Sequence, residues 1–598
     1  MARPDPHSYF DDTHPRVASL DLVATIDFDA RRLRAVATLS FVAPVAADGP
    51  VDLDSRGLSV DSVTTPDGKP LAWELGATDP VLGERLRVTV PPGVTGVAVR
   101  YQTAPDASAL QWLAPSMTAG GVHPFVFSQC QAIHARSVAP LQDSPAVRIT
   151  YRAELTVPRA LRALMAARFV ERHEGDVGGL AVERWEMPQP IPPYLLAFAA
   201  GDLAARELGP RSRVWAEPSV VERAAAEFVE VDDMLRAAEA LFGPYDWERF
   251  DLLVMPPAFP YGGMENPRLT FLTPTLLAGD RSLANVVAHE LAHSWTGNLV
   301  TNANAEHFWL NEGFTVFAER RIVEALWGAD VAALEAALGR RGLDEAMARF
   351  ADRPALTRLR THLDGLDPDA VFSEIPYEKG YLFLRALEEA AGRAAFDRFL
   401  RGWLDGHRFG AVTTDDFVAA CERALPGVLA RVGAERWLDG EGVPADAPVA
   451  RSARLERVEA LVSRGPAPLD AETARGLRSV EWQLWLEGIA PALRTAGPAA
   501  CEALDVAHGL TARGNAEVLV AWLEAAVRAG YPPAVARAEA LVGEVGRMKY
   551  LRPLYRALLS LPDGRARAER AFAAASPGYH PIAREVVAGL IAGPGKGA

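Results

Sequence analysis

Residues 289–293 read His-Glu-Leu-Ala-His, and Glu312 follows nineteen positions after the second histidine, inside Asn-Glu-Gly. On a helix, His289 and His293 stand one turn apart on one face, with a rise of roughly 6 Å between them. Two imidazoles placed this way can converge on one small cation. No other stretch constrains the fold as tightly. Residues 289–293 are expected on a helix, and a second helix opened by Glu312 could fold back to supply a carboxylate. Zinc takes neutral imidazole nitrogens and carboxylate oxygens, and a catalytic zinc keeps three protein ligands and one position for water. Glu290, next to the first histidine, can reach that water without joining the metal. One zinc per chain is expected, with His289, His293 and Glu312 as ligands and Glu290 as the base.

Coincidence accounts poorly for this pattern. With twelve histidines in 598 residues, a chance HExxH has a probability on the order of 1 in 50. Requiring the later glutamate lowers the odds by about tenfold more. The flanks agree: Ser282 is expected to cap the first helix, Leu283, Val286, Val287 and Leu291 give it an apolar stripe, and Gly297 ends it. The second helix is expected to run from Glu312 through Phe314, Phe317, Ile322 and Leu326 to a stop at Gly328.

Such a chain is too long for one hydrophobic core and implies about three or four domains. The net charge of −15 gives no electrostatic case for nucleic acid or an acidic membrane, since phosphate binding needs clustered Lys and Arg. It could weakly favour cationic substrates. There is no uninterrupted apolar run long enough to span a bilayer, and MARPDPHSYFDDTHP has no secretory pattern. Cys130, Cys421 and Cys501 are widely spread, without CxxC spacing, which suits a reducing compartment. A cytoplasmic monomer is expected.

Hydrophobic periodicity divides the chain into a multidomain α+β protein. Residues 1–203 read as β-rich: Leu20, Leu22, Ala24, Ile26 and Phe28 alternate, and after DARR so do Leu33, Ala35, Ala37, Leu39 and Phe41. Segments 86–90, 97–101 and 146–157 continue that pattern. Residues 204–440 are mixed α/β, with a long helix expected from Ser219 to Gly243-Pro244 and a strand at 251–255. Residues 441–451 read as a Pro/Gly linker. Residues 452–598 are helical, with Gly or Pro breaks about every twenty residues, as a helical solenoid or bundle would have. The closing AGPGKGA is low in complexity.

HELAHSWTGNLVT, NEGFTVFAER and FPYGGMENPRLTFLTPTLLAGD together resemble the gluzincin zinc aminopeptidases of the aminopeptidase N and aminopeptidase B type. FSQCQAIHAR at 127–136, DPDAVFSEIPYEKG at 367–380 and GRMKYLRPL at 546–554 extend the resemblance over nearly the whole length, toward the leukotriene A(4) hydrolase branch. The resemblance implies a β-rich N-terminal domain, a thermolysin-like zinc catalytic domain and an α-helical C-terminal domain, acting on short peptides. It also implies roles for residues that spacing alone would not single out. Tyr377 would donate to the developing oxyanion. Tyr261, Gly262, Gly263 and Met264 would line the substrate with Gln129, and Glu265 with Gln131 would bind the free α-ammonium. Arg547 and Lys549 would hold the substrate's C-terminal carboxylate. Asp369 matches an aspartate linked to epoxide hydrolysis and equally fits a pocket for a basic first residue. Phe372 stands where that branch carries a tyrosine, which bears against the alternative of a bifunctional enzyme that also opens a fatty-acid epoxide. A catalytically silent scaffold would have lost the base or a ligand, and neither is lost.

Overall fold

The computed structural model describes residues 5–175 and 178–593. The first four residues and the end of the AGPGKGA run lie outside them. The alternating residues build the expected hairpin. Val17–Asp27 pairs antiparallel with Arg32–Phe41, Leu22 opposite Ala37 and Ala24 opposite Ala35, and these apolar side chains are buried. The sheet extends to seven strands, in the order Arg168–Glu174, Leu180–Ile191, Ile149–Pro158, Val17–Asp27, Arg32–Phe41, Gly96–Gln102 and Ser59–Thr64. A second sheet of four strands contains Phe125–Ser128 between Phe198–Gly201 and Leu110–Leu113. That strand delivers Gln129 and Gln131 at its C-terminal end.

Just beyond them Arg136 is fully buried. Its guanidinium donates to Asp143 Oδ2 at 3.0 Å and to the carbonyls of Leu82 at 2.8 Å and His7 at 2.6 Å, with Asp54 Oδ1 at 3.8 Å. One side chain therefore ties the segment around His7 to two loops.

In the mixed region, one expected helix is two. α1 (Val221–Glu227) and α2 (Val231–Phe242) are separated because the Glu227 carboxylate accepts the N–H groups of Gly279 and Arg281, each at 2.8 Å, and Phe228 turns into the core. Gly243, at φ 102°, ends α2 where expected. A five-stranded sheet runs Ala204–Gly209, Ser212–Ala216, Asp251–Val254, Leu269–Leu272, Gly263–Met264. Its last strand is therefore an edge. α3 (Ala284–Ala292) and α4 (Trp309–Trp327) follow, then α5 (Ala329–Arg349). α4 starts three residues earlier than the pattern suggests, at Trp309, and stops at Gly328 as expected. Residues 309–323 are buried all round, so this helix is the spine of the region rather than an amphipathic cover.

The C-terminal region has nine α-helices among the described residues. Ala453–Ser463, Ser479–Ala496, Ala516–Arg528, Met548–Leu559 and Pro581–Ala592 pack in succession, and Pro532–Glu544 packs on Gly564–Ala575 as an outer layer. This is a two-layer solenoid. It docks on the mixed region where Gly546 N–H donates to Pro257 O at 2.6 Å and Met548 N–H to Pro260 O at 2.8 Å. A Cβ on Gly546 would stand 2.5 Å from Ala258 O, so only glycine allows this approach.

Replacing Arg136 by Leu would leave the buried Asp143 and Asp54 uncompensated. The expected loss is about 3–5 kcal/mol, read as a lower urea midpoint for unfolding of the N-terminal region. An unchanged midpoint would show that the guanidinium is dispensable.

Candidate active site

The start of α3 differs from expectation. Ser282 does not cap it: Leu283 is the N-cap residue and gives no side-chain bond. The Ser282 hydroxyl bonds Asp280 instead, and receives Asn515 Nδ2 from the solenoid at 2.8 Å. The helix carries His289 and ends at Ala292, and His293 is its C-cap residue, still in helical conformation with its N–H on His289 O. His289 Nε2 and His293 Nε2 lie 3.2 Å apart, and each is 3.5 Å from Glu312 Oε2. Ligands about 2.0–2.1 Å from a zinc at tetrahedral angles stand roughly 3.3 Å from one another. The triangle has the right size.

Two further observations fit zinc. Glu312 Oε2 is buried without a hydrogen-bond partner, a state that costs free energy unless something cationic meets it. Both imidazoles are also held by their other nitrogen. His289 Nδ1 bonds Glu319 Oε2 at 3.0 Å, and His293 Nδ1 bonds Thr296 O at 3.0 Å. With those protons on Nδ1, both Nε2 lone pairs face the shared point. Gly297, at φ 117°, makes the turn possible, since a Cβ there would lie 2.8 Å from His293 Nδ1. Glu319 escaped the sequence reading. It lies seven residues after Glu312, two turns along the same helix face, so the signal was available.

Glu290 is 6% exposed. Burial pushes its carboxyl up to about 8, with His289 opposing and Glu312 and Glu319 adding to the rise. Glu265, buried beside it, is raised well above its ordinary value by burial and then by Glu312 and Glu290. Glu265, Glu290 and His293 bring ligand atoms within 4.8 Å of one another. Four carboxylates gathered in this volume call for positive charge from zinc and from a substrate.

The Gly262-Gly263 pair is a close-packing device. A Cβ on Gly263 would collide with the Glu290 carboxylate, and one on Gly262 would stand 2.7 Å from Arg547 Nη2. Gln131 Nε2 reaches Glu265 Oε1 at 3.4 Å. Gln129 turns its amide nitrogen to Met264 Sδ at 3.3 Å and keeps Oε1 buried and unpartnered.

Tyr377 sits on a π-helical turn, Ile375–Lys379. Its ring stacks on His289 at 6.2 Å, with the edges of Phe308 at 6.0 Å and Phe372 at 5.8 Å. Burial, with Glu312 next in effect, keeps the phenol protonated well above its ordinary range. The turn comes this near because Gly313 of α4 meets Gly380, where a Cβ would be 2.8 Å from the opposing Cα.

Arg547 is 5% exposed. It bonds Tyr550 Oη at 2.6 Å and Glu517 Oε1 at 3.2 Å, and its Nε is buried without a partner. Lys549 is half exposed and bonds Glu517 Oε2 at 2.8 Å. The two cations hold the Glu517 carboxyl down at about 2, against the effect of burial. Glu517 left no trace in the sequence, because its partners lie thirty and thirty-two positions away. Asp369 bonds His134 Nε2 through Oδ2 at 2.6 Å. It lines an adjoining, mostly apolar pocket with Gln131, Tyr261, Phe308, Val371 and Phe372.

Fold and site together define a zinc metallopeptidase with two histidines and a glutamate around the metal point. Comparison with known proteins gives the particular family. Residues 228–437 match the peptidase family M1 domain, 86–195 the peptidase M1 N-terminal domain, and 477–591 the leukotriene A4 hydrolase C-terminal region. The chain is 36% identical over 603 residues to leukotriene A-4 hydrolase of Xenopus laevis, covering 98% of each. It is 36% identical to leucine aminopeptidase 2 of Aspergillus terreus, covering 90% of this chain and 89% of that one. A solved yeast LTA4 hydrolase in complex with bestatin superposes with a TM-score of 0.90 at 32% identity, covering 98% of this chain and 96% of that one. The chain belongs to the M1 peptidases, in the branch with a leukotriene A4 hydrolase C-terminal domain. It is a zinc aminopeptidase with one catalytic zinc per chain.

Glu319→Ala should weaken zinc binding by about 10–100-fold while the protein stays folded, measured by competition with a chelator. Unchanged affinity would remove Glu319 from the support of His289.

Proposed function

We propose that the chain releases single N-terminal residues from short peptides, and that the edge strand Gly263–Met264 carries this reading. It ends the five-stranded sheet with one side unpaired among the described residues, and Glu265 follows it directly. An extended peptide can add to such an edge through main-chain hydrogen bonds. The Glu265 carboxylate, with Gln131, then receives the α-ammonium. One extended residue spans roughly 3.3–3.6 Å, and the ligand atoms of Glu265, Glu290 and His293 lie within 4.8 Å of one another. The bond presented for cleavage is therefore the first.

His289, His293 and Glu312 would hold the zinc. When bound, zinc supplies a Lewis acid that lowers the pKa of water and polarises the scissile carbonyl. Glu290 accepts the proton of the attacking water on its carboxylate and returns it to the leaving amine. Tyr377 donates its O–H to the oxygen on which negative charge develops, a contact worth about 3–4 kcal/mol in the transition state. At the far end, the free Nε of Arg547 supports a carboxylate anchor, with Lys549 near the surface. Glu517 already neutralises part of that pair, so the anchor is a directed donor more than a bare charge.

A second reading, opening of a fatty-acid epoxide, draws on the apolar pocket walls of Phe308, Trp309, Leu359, Val371 and Phe372. It has Asp369 but puts a hydrocarbon ring, Phe372, beside Tyr377 where a second phenol is missing. Turnover of an epoxide lipid separates the two readings.

We further infer unit boundaries at 1–203, 204–440, 441–451 and 452–598, and a cytoplasmic monomer as the working form. The three cysteines are buried and unpaired, which supports a reducing compartment, and no helix among the described residues is long and apolar enough to cross a membrane.

Glu290→Gln should retain one zinc by metal analysis and lose nearly all turnover, because a proton acceptor goes and no ligand does. Free-amine peptides should be cut far faster than their N-acetyl forms; equal rates would rule out the exopeptidase reading.

Arg547→Ala should sharply lower kcat/KM for free-acid tripeptides and spare an aminoacyl anilide, which has no C-terminal carboxylate. Binding energy from the remote end aligns the scissile bond and so acts on turnover. Equal losses on both substrates would make Arg547 scaffolding.

A further inference from the structure

The pocket beside the zinc cluster runs from Gln131 past Tyr261 and Phe372 toward Leu363. Its walls are mostly apolar, so its few charged groups decide which side chain it accepts. Asp5 is 1% exposed, and its carboxylate is taken by Ser144 Oγ and the N–H of His7. Arg358 pairs with Glu441 at 2.9 Å. Asp369 differs. Its side chain is 27% exposed, and its one side-chain hydrogen bond among the described residues is accepted by Oδ2 from His134 Nε2 at 2.6 Å.

The direction of that bond follows from the neighbours of His134. Arg56 Nη1 lies 3.2 Å from His134 Nδ1, and a guanidinium has only donors. Nδ1 must accept, so the imidazole proton is on Nε2 and points at Asp369. Ser108 Oγ, 2.8 Å from Nδ1, can donate to the same lone pair, which it then shares with Arg56, and the Asp369 carboxylate, an acceptor only, likewise requires the proton on Nε2. Arg56 is itself fixed by the carbonyl of Val81. His134 is held by its N–H to Cys130 O at 2.8 Å, in the same segment as Gln129 and Gln131. Three separate segments thus form a one-way chain of donors that ends on one oxygen of Asp369. The other oxygen is left for the pocket.

We propose that Arg56 and His134 are positioning residues for first-residue specificity, aiming Asp369 so that the pocket selects peptides with an arginyl or lysyl N-terminus. The proposal rests on the aminopeptidase reading, with the first side chain entering this pocket. A charge pair depends on orientation as well as distance, and a carboxylate held by a second hydrogen bond cannot swing away from the incoming cation.

The test measures kcat/KM for arginyl, lysyl and alanyl anilides with the same leaving group on the zinc-loaded enzyme. The variants are His134→Phe, His134→Gln, Arg56→Met, Asp369→Asn and the double variant His134→Phe/Asp369→Asn. His134→Phe should lower the arginyl-to-alanyl ratio about tenfold, and Arg56→Met should lower it in the same direction. His134→Gln, whose amide can still donate, should keep most of it. The double variant should lose no more than Asp369→Asn alone, since both act through one contact. A purely structural role would depress arginyl and alanyl substrates together and leave the ratio intact, which would overturn the proposal. So would a ratio lost in Asp369→Asn but retained in His134→Phe and Arg56→Met. A ratio unchanged in Asp369→Asn would instead remove the pocket assignment on which the proposal rests. Should His134→Phe fail to fold, Arg56→Met and His134→Gln decide the same question.

Discussion

The structure turns on burying negative charge. Glu265, Glu290, Glu312 and Glu319 converge around two imidazoles in a volume almost closed to solvent. Each carboxylate raises the cost of its neighbours, and the arrangement is worthwhile only if cations meet it. Zinc and a substrate ammonium are two such cations with complementary roles. The surrounding chain is built to keep the groups from relaxing apart. α4 is buried over fifteen consecutive residues, Gly313 lets the Tyr377 turn press against it, and Gly263 lets Glu290 lie on the edge strand.

The cleft takes its parts from all three regions. The N-terminal β region contributes Gln131 and the His134 contact to Asp369. The mixed region contributes the metal point, the base and the free edge. The solenoid contributes Arg547, which lies against Gly262 because Gly546 and Met548 bond the loop at 257–260. Remote contacts of this kind allow binding energy to be used at the reacting bond. Arg547, Lys549 and Glu517 form a compact triad that keeps the donors in place before a peptide arrives.

The same principle of held orientation recurs at smaller scale. His289 is turned by Glu319, His293 by Thr296, and Asp369 by His134. In each case a second partner occupies one atom and leaves the other aimed at the cleft. Glu378 pairs with Arg320 and so fixes the turn that carries Tyr377. These supports, more than the groups they hold, set the geometry of the site.

By itself the sequence determined whatever depends on short spacing. His289 and His293 converge because a helix turns once in about 3.6 residues, and no tertiary context is needed to know it. The strand alternation at 20–28 and 33–41 and the stops at Gly243 and Gly328 are local in the same sense. Family motifs extended this to Tyr377, Glu265 and Arg547. Where one long helix was expected from Ser219, distant bonds to Glu227 broke it in two; where Ser282 was expected to cap, Asn515 from the solenoid engaged it. Only tertiary structure decided that Glu517 neutralises Arg547, that Asp369 is bound to His134, and that Glu312 meets both imidazoles at 3.5 Å. Those contacts join residues tens to hundreds of positions apart, and long-range packing leaves no periodic signature along the chain.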